Sequence, residues 1–261
     1  MTTRSRSLEQ EIARSLARQR TELLPGGLYQ FEDKLEIGGQ LSSALITCQA
    51  WLLELYSLRT GQLSFTCDGQ TILPQTKRFG VFYAPFSICQ PCFTNAEGKV
   101  IGIAARIALP ANLNNGSVVF EVAQTKAPKR FSEVLEILGS GTGHQLVELN
   151  SKPSLLSLKT KRVIDKTHLE PRPVGLIAAD LGVTPEHLSR QFKADFGLSP
   201  TNYLRRLRLA DALLRLAHGE KIVNVSQAVG YNDLSRFYKQ FRKTTDTSPG
   251  ICKQVLRPRR K

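Results

Sequence analysis

The sequence predicts an α+β multidomain chain. A β-rich amino-terminal half, barrel or sandwich, precedes an all-α carboxy-terminal domain with two helix–turn–helix units joined by a long helix. Three observations carry this. Between Val174 and Ser248 one apolar pattern is written twice, a well-capped helix lies between the copies, and from Leu41 to about Val122 short β-like runs alternate with turn residues.

The first copy runs Leu176-Ile177-Ala178-Ala179-Asp180-Leu181-Gly182-Val183-Thr184, then Leu188-Ser189-Arg190-Gln191-Phe192-Lys193. The second runs Val225-Ser226-Gln227-Ala228-Val229-Gly230-Tyr231-Asn232, then Phe237-Tyr238-Lys239-Gln240-Phe241-Arg242. Adding 48 carries Ala178 onto Ser226 and Gly182 onto Gly230, while adding 49 carries Leu188 onto Phe237 and Phe192 onto Phe241. One residue is therefore inserted in the second turn, and the i, i+4 apolar spacing of the following helix survives. A small residue lets the first helix approach the second. The glycine supplies the positive φ of a tight turn, and the Leu/Phe pair packs the second helix back.

The connecting helix begins at Ser199-Pro200, an N-cap followed by proline at the first helical position, and stops before Gly219. Leu204, Leu207, Ala210, Leu213 and Leu214 fall on one stripe, which predicts a helix of about 18 residues, roughly 27 Å long, with one buried face. A rod of that length suits the separation of successive major grooves, about 34 Å.

From about residue 156 to 255 the chain resembles the DNA-binding domain of the AraC/XylS family of bacterial transcription regulators. The resemblance rests on Leu188-Ser189-Arg190-Gln191-Phe192-Lys193, Tyr203-Leu204-Arg205-Arg206-Leu207-Arg208-Leu209, Ala228-Val229-Gly230-Tyr231, and Phe241-Arg242-Lys243 with Ser248-Pro249. It covers about 100 of the 261 residues. Leu234 stands where the family often has proline, and Asp246-Thr247 where it often has glycine. The first departure bears on how the second recognition helix begins.

Charge points the same way. Residues 1–150 carry 14 basic and 13 acidic side chains, whereas residues 151–261 carry 22 and 9. A basic domain beside a neutral one suits phosphate contact. No apolar run approaches the length of a transmembrane helix and no secretory signal opens the chain, so a cytoplasmic protein with no membrane partner is expected.

Helical geometry leaves Glu186, His187, Ser189, Arg190 and Lys193 on the outer faces of the first recognition helix, and Ser235, Arg236, Lys239 and Arg242 on those of the second. The resemblance implies base contacts by Glu186, Ser189, Arg190, Ser235, Arg236 and Lys239. Arginine pairs bidentately with guanine and glutamate accepts from cytosine, while serine is permissive. Lys193, Arg205, Arg242 and Lys243 are expected on phosphates. The bland alternative for each basic residue is a solvated helix face. The tail, residues 257–261, adds nonspecific attraction or only solubility.

In the amino-terminal half, Ser7-Leu8-Glu9-Gln10 resembles a capping box, and Leu8, Ile12 and Leu16 predict an amphipathic helix over residues 7–24, giving an arm at 1–24. Residues 25–140 read as a β-rich sensor, effector or dimerisation domain. Its runs are Leu63–Cys67 turning at Asp68-Gly69 into Gln70–Leu73, then Phe79–Pro85, Val100–Ala105 and Val118–Val122, followed by a helix from about Lys129 to Leu138. The stretch from Gly61 to Pro85 resembles the cupin-like sensor domain of many AraC/XylS proteins. Glycine and proline punctuation makes 141–154 a linker, with the DNA-binding domain at 155–256.

Trp51, Phe79, Phe82, Tyr83 and Phe86 are candidate effector-pocket residues, with plain core as the alternative. Cys89-Gln90-Pro91-Cys92 has the spacing of a zinc or thiol-redox pair, so Cys89 and Cys92 are candidate redox or metal residues. The default for a cytosolic chain is reduced, partly buried thiols. No metal site is expected, because a zinc site would need two further ligands with partner spacing. All four histidines lie outside the β region, and there is no phosphate cradle, nucleophile elbow or supported acid pair. Neither catalysis nor a cofactor is therefore expected.

The resulting expectation is a sequence-specific regulator of transcription, an activator by family habit. Double-stranded promoter DNA, RNA polymerase, a small-molecule or protein effector and a second copy of the chain are its candidate partners. Two alternatives stay open: a protein-docking module tethered to DNA, and a thiol- or metal-responsive regulator using Cys89 and Cys92. A methyl-accepting DNA-repair protein is disfavoured, since no Pro-Cys-His environment is present.

Overall fold

The computed structural model describes residues 22–24, 28–42, 45–47, 50–67, 70–105, 118–122, 128–140, 153–245 and 247–256. The chain divides near residue 150 into two compact units. The first is β-rich and the second helical.

The β unit contains β1 (Glu22–Leu24), β2 (Leu28–Glu36), β3 (Gln40–Ser42), β4 (Leu45–Ile46), β5 (Trp51–Cys67), β6 (Gln70–Ile72), β7 (Arg78–Tyr83), β8 (Ile88–Ala105) and β9 (Val118–Glu121), followed by α1 (Phe131–Ser140). All pairings are antiparallel, in the order β1-β2-β8-β5-β7-β9, with β3 and β4 also on β8 and β6 on β5. The long strands β5 and β8 form the spine. They pair from Trp51↔Ala105 to Cys67↔Cys89, with register shifts between Leu58 and Gln62. Such irregularities bend and twist a strand pair. On one side of them the spine is flanked by β2 and β7, and on the other by β3, β4 and β6.

Alternation along the strands separates two cores. Tyr56, Leu63, Phe65, Phe79, Tyr83 and Phe93 share one, with Tyr56 stacked on Phe79 at 5.1 Å. Trp51, Leu53, Phe82, Ile103 and Phe120 share the other, around Val134 of α1. Burial on both faces explains why runs such as Val81-Phe82-Tyr83 lack a polar alternation in sequence.

Two expectations change here. The runs Leu63–Cys67 and Val100–Ala105 are the ends of the two longest strands, not separate short ones. Most of the helix expected over residues 7–24 lies outside the described residues, but Glu22–Leu24 is strand, paired to β2 through Leu24↔Leu28. Pro25 biases the residue before it away from the helical region, which favours that outcome. The expected turn Asp68-Gly69 also lies outside the described residues, although β5 and β6 do pair on either side of it.

The helical unit comprises α2 (Leu155–Thr167), α3 (Val174–Asp180), α4 (Pro185–Phe196), α5 (Pro200–Ala217), α6 (Ile222–Ala228), α7 (Leu234–Thr245) and α8 (Pro249–Leu256). Ser154, Thr184 and Ser199 cap α2, α4 and α5 through their side-chain oxygens, and Pro200 opens α5 as its N1 residue. Gly219 follows the C-cap His218 with φ +85°.

The 18-residue α5 does not bury the single stripe read from the sequence. Leu204 and Leu207 are buried, but Ala210, Leu213 and Leu214 are only half-buried, and Tyr203, Asp211, Ala212 and Leu216 join the core instead. The cause is packing on several sides, because α5 touches α2, α4, α6 and α8. Asp211 enters that core because Arg215, one turn later, donates Nε to its carboxylate at 2.7 Å.

Candidate nucleic-acid interface

The sequence offset is reproduced residue for residue in the backbone. Helix α3 maps onto α6 at an offset of 48 and α4 onto α7 at 49. In the first turn Gly182 N donates to Ala179 O at 3.0 Å and Val183 N to Ala178 O at 3.1 Å; in the second, Gly230 N donates to Gln227 O and Tyr231 N to Ser226 O, both at 3.0 Å. The inward positions match as well: Ile177, Ala178, Leu188 and Phe192 are buried in one pair, and Val225, Ser226, Phe237 and Phe241 in the other.

With those positions committed to packing, the outer faces of α4 and α7 are fixed. Glu186, His187, Arg190 and Lys193 are exposed on α4, with Ser189 half-buried, and Ser235, Arg236, Lys239, Arg242 and Lys243 are all exposed on α7. Arg190 Nη2 lies 3.4 Å from His187 Nδ1. Leu234, at the position where proline is common, opens α7 without it. Asp233 Oδ1 accepts from Ser235 N at 2.7 Å and Arg236 N at 3.4 Å, so an aspartate cap fixes the start of the helix. Sequence reasoning passed over Asp233, although an acidic residue directly before an amphipathic run is a legible start signal.

Two supports had no local signal. Asp195 of α4 accepts from Ser154 Oγ at 2.6 Å, Ser154 N at 3.1 Å and Gln191 Nε2 at 3.2 Å, tying the start of α2 to α4. Burial pushes the Asp195 carboxyl up, but the bonds from Ser154, Ser157 and Gln191 outweigh it and hold the group below its ordinary range. Arg208 of α5 bridges the segment after α2 to the turn after α6.

In the β unit the five aromatic candidates do not converge. Phe79 and Tyr83 lie in one core; Trp51 and Phe82 lie in the other, each within 6.3 Å or less of a neighbouring ring. Phe86 is half-buried in the bend between β7 and β8, at φ +61°. Strand alternation turns Phe82 away from its neighbour Tyr83, so the set lines no common pocket. Tyr83 and Tyr56 instead donate to a carboxylate the sequence reading missed, that of Glu54, at 2.9 and 2.5 Å. Burial raises the Glu54 pKa, while the two tyrosine bonds act to lower it. A cavity of about 170 Å³ lies beside the bend of β5, lined by Leu58, Leu63, Leu73, Lys77 and Phe79, and shares only Phe79 with the candidate set.

The cysteines are also redistributed. Cys89 is disulfide-bonded to Cys67, its cross-strand partner, rather than acting with Cys92. Residues 89 and 92 on one extended strand face opposite sides. Cys92 accordingly points out of that core and accepts from Gln40 Nε2 at 3.2 Å. The expectation of reduced thiols is thus corrected for Cys67 and Cys89, while Cys48 lies outside the described residues. Cys252 is a buried free thiol whose pKa burial pushes up to about 11. Among the described residues, no group of three or more His, Cys, Asp or Glu is placed to hold a metal ion. No helix among them is long and apolar enough to cross a membrane.

Two helix pairs with one backbone pattern, each presenting exposed basic residues on its second helix, define the helical unit as a helix–turn–helix domain. Residues 177–254 match the family model described as "Helix-turn-helix domain". Over 73 residues the chain is 36% identical to the uncharacterised HTH-type transcriptional regulator YobQ of Bacillus subtilis, spanning 28% of this chain and 30% of that protein. Over 76 residues it is 36% identical to the HTH-type transcriptional activator RhaS of Pectobacterium carotovorum, spanning 29% of this chain and 27% of that protein. Among solved structures, the C-terminal domain of AraT, a response regulator from Geobacillus stearothermophilus, aligns at 25% identity with a TM-score of 0.39, over 40% of this chain and 88% of that one. The carboxy-terminal region thus carries a helix–turn–helix domain similar to those of AraC-type transcription regulators. The chain spans only about 30% of the length of the curated relatives it matches.

Proposed function

We propose that this protein is a sequence-specific DNA-binding regulator of transcription in which α4 and α7 are the recognition helices of two helix–turn–helix units. The observation that carries this is the duplicated backbone: one turn geometry, built twice, holds the exposed residues of α4 and α7 at equivalent places on two helices. Arg190, Arg236 and Lys239 read base edges, with Glu186, Ser189 and Ser235 beside them, while Lys193, Arg242 and Lys243 neutralise phosphates. His187 borders the reading face through Arg190.

The β-rich unit is a cupin-like sensor for an effector or partner, and the protein activates transcription through contact with RNA polymerase; the similarity to RhaS, a transcriptional activator, supports activation. Pairing of two copies through that unit would double the number of DNA sites engaged. The full chain, incubated with a randomised duplex pool, should enrich a bipartite motif with two blocks about one helical turn apart. Enrichment of nothing beyond the starting pool, by a chain with an intact thermal transition, overturns the reading.

A further inference from the structure

The repeat does not account for one residue of the connecting rod. Arg208, midway along α5, donates Nε to His168 O at 2.7 Å and Nη2 to Glu170 O at 2.5 Å. Both carbonyls belong to the segment that leaves α2 and leads into the first helix pair. The same guanidinium lies 5.7 Å from the ring centroid of Tyr231, in the turn of the second pair. Tyr231 in turn meets Phe237, the first inward residue of α7, edge-on at 5.5 Å.

Gly230 closes the remaining side. A Cβ there would sit 2.9 Å from Arg208 Nη2 and 2.9 Å from Leu169 O, on a backbone at φ +80°. At the matching Gly182 nothing lies within 4 Å of the same position. The two turns are therefore alike in backbone and unlike in surroundings, and Arg208, with the Leu169 carbonyl beside it, is the difference. A guanidinium suits this place because its rigid plane bridges two carbonyls while stacking on a ring, which an ammonium cannot do.

We infer that Arg208 is a positioning residue that sets the orientation of α7 relative to α4, and so the half-site separation the protein accepts on duplex DNA. This rests on the reading of both helix pairs as groove-reading units. It goes beyond it by naming the side chain that sets the geometry between them. Arg208 does not touch DNA in this account. It acts through Tyr231 and Phe237 on one side and the α2–α3 segment on the other. Two heads on a rigid mount bind as a bivalent ligand, whose advantage depends on the mount matching the spacing of its sites. One added base pair shifts and rotates the second site by about 3.4 Å and about 35°, enough for a fixed mount to register.

The experiment measures the affinity of the full chain for its pool-selected duplex, for the same duplex with the two blocks separated in single base-pair steps, and for a duplex holding one block. Wild type should have a sharp spacing optimum. Arg208→Gln should flatten it, losing about tenfold at the optimum while one-block binding changes less than about twofold. Arg208→Lys, which keeps a single carbonyl bond, should fall between the two. Gly230→Ala should flatten the profile with Arg208 still present. Thermal melting accompanies each variant, and if Arg208→Gln melts below the assay temperature the other two carry the same readout.

A wild-type spacing profile in the folded variants, or equal losses on one-block and two-block duplexes, reduces Arg208 to a stabilising contact and overturns the inference. A wild-type chain that binds one block yet has no spacing optimum overturns the two-head reading itself and takes this inference with it. The two failures are thus distinguishable.

Discussion

Helix α4 carries Glu186, Arg190, Lys193 and Asp195, two charges of each sign, whereas α7 carries Arg236, Lys239, Arg242 and Lys243 and no acid. Helix α4 is capped by the Thr184 hydroxyl, α7 by the Asp233 carboxylate. The turn before α4 is open around its glycine, and the turn before α7 is filled by Arg208 and the Leu169 carbonyl. Yet Phe192 and Phe241, at 0% and 1% exposure, occupy the same inward place. The repeat thus conserves what packs and diverges in what faces outward. Packing tolerates few residue types at a given place, whereas an exposed face is constrained only by what it must touch.

The largest expected effect tests the shared core. Phe192→Ala and Phe241→Ala should each cost about 3–5 kcal/mol, as for other buried aromatics. Denaturant unfolding of the full chain, followed at the helical transition, reads this. A cost for one below half that of the other would mean the two pairs are not equivalent in packing.

Next come the two glycines. Gly182→Ala should cost about 1–2 kcal/mol, the penalty of a side chain in the left-handed region. Gly230→Ala should cost at least about 1 kcal/mol more, since its Cβ must displace a backbone carbonyl and a bonded guanidinium. Equal costs by thermal melting would remove the asymmetry on which the Arg208 argument stands.

The outer faces should separate by kind of loss. Arg236→Ala should lose about 1–3 kcal/mol on the selected duplex and little on a scrambled one. Lys243→Ala should weaken both alike and lower the salt slope by about one. Neutralising α7 should reduce the salt dependence more than neutralising the basic residues of α4, because no acid on α7 offsets them. Identical behaviour of Arg236→Ala and Lys243→Ala on both duplexes contradicts the assignment of reading and holding roles.

The smallest effect concerns the anchor of the first pair, the bonds between Ser154 and Asp195. Ser154→Ala should cost about 1 kcal/mol as the loss of a helix cap. Asp195→Asn should act in the same direction with a pH signature. The folded-state pKa of Asp195 is depressed, so its contribution is complete above the ordinary carboxylate range and is lost as pH falls through the lower folded value. The stability difference between wild type and Asp195→Asn should therefore be full at neutral pH and close in strong acid. A difference unchanged by acid would remove the carboxylate from the argument.

Much of the helical unit was legible because its signals are local. Ser199-Pro200 and Gly219 bracket a helix through neighbours in the chain, and Leu188, Phe192, Phe237 and Phe241 declare an inward face by their i, i+4 spacing. The β unit was legible only as texture. Leu53 and Tyr56 lie in different cores but both are apolar, so no alternation marks the face to which either belongs. For the same reason the five aromatic candidates read as one set although β7 turns Phe82 and Tyr83 to opposite sides. Cys89 was matched to Cys92 by sequence spacing, a rule that fails on an extended strand, where residues three apart face away from each other.

The amino-acid sequence by itself determined the duplication, the limits of the connecting helix, the outward basic residues and the concentration of positive charge in the second half. Each follows from interactions within a few residues or from composition. The fold alone decided that Cys67 bonds Cys89 across 22 residues, that Ser154 meets Asp195 across 41, and that Arg208 reaches His168 across 40. Those contacts join groups whose separation in sequence carries no periodic signal, and only the packing of strands and helices brings them within bonding distance.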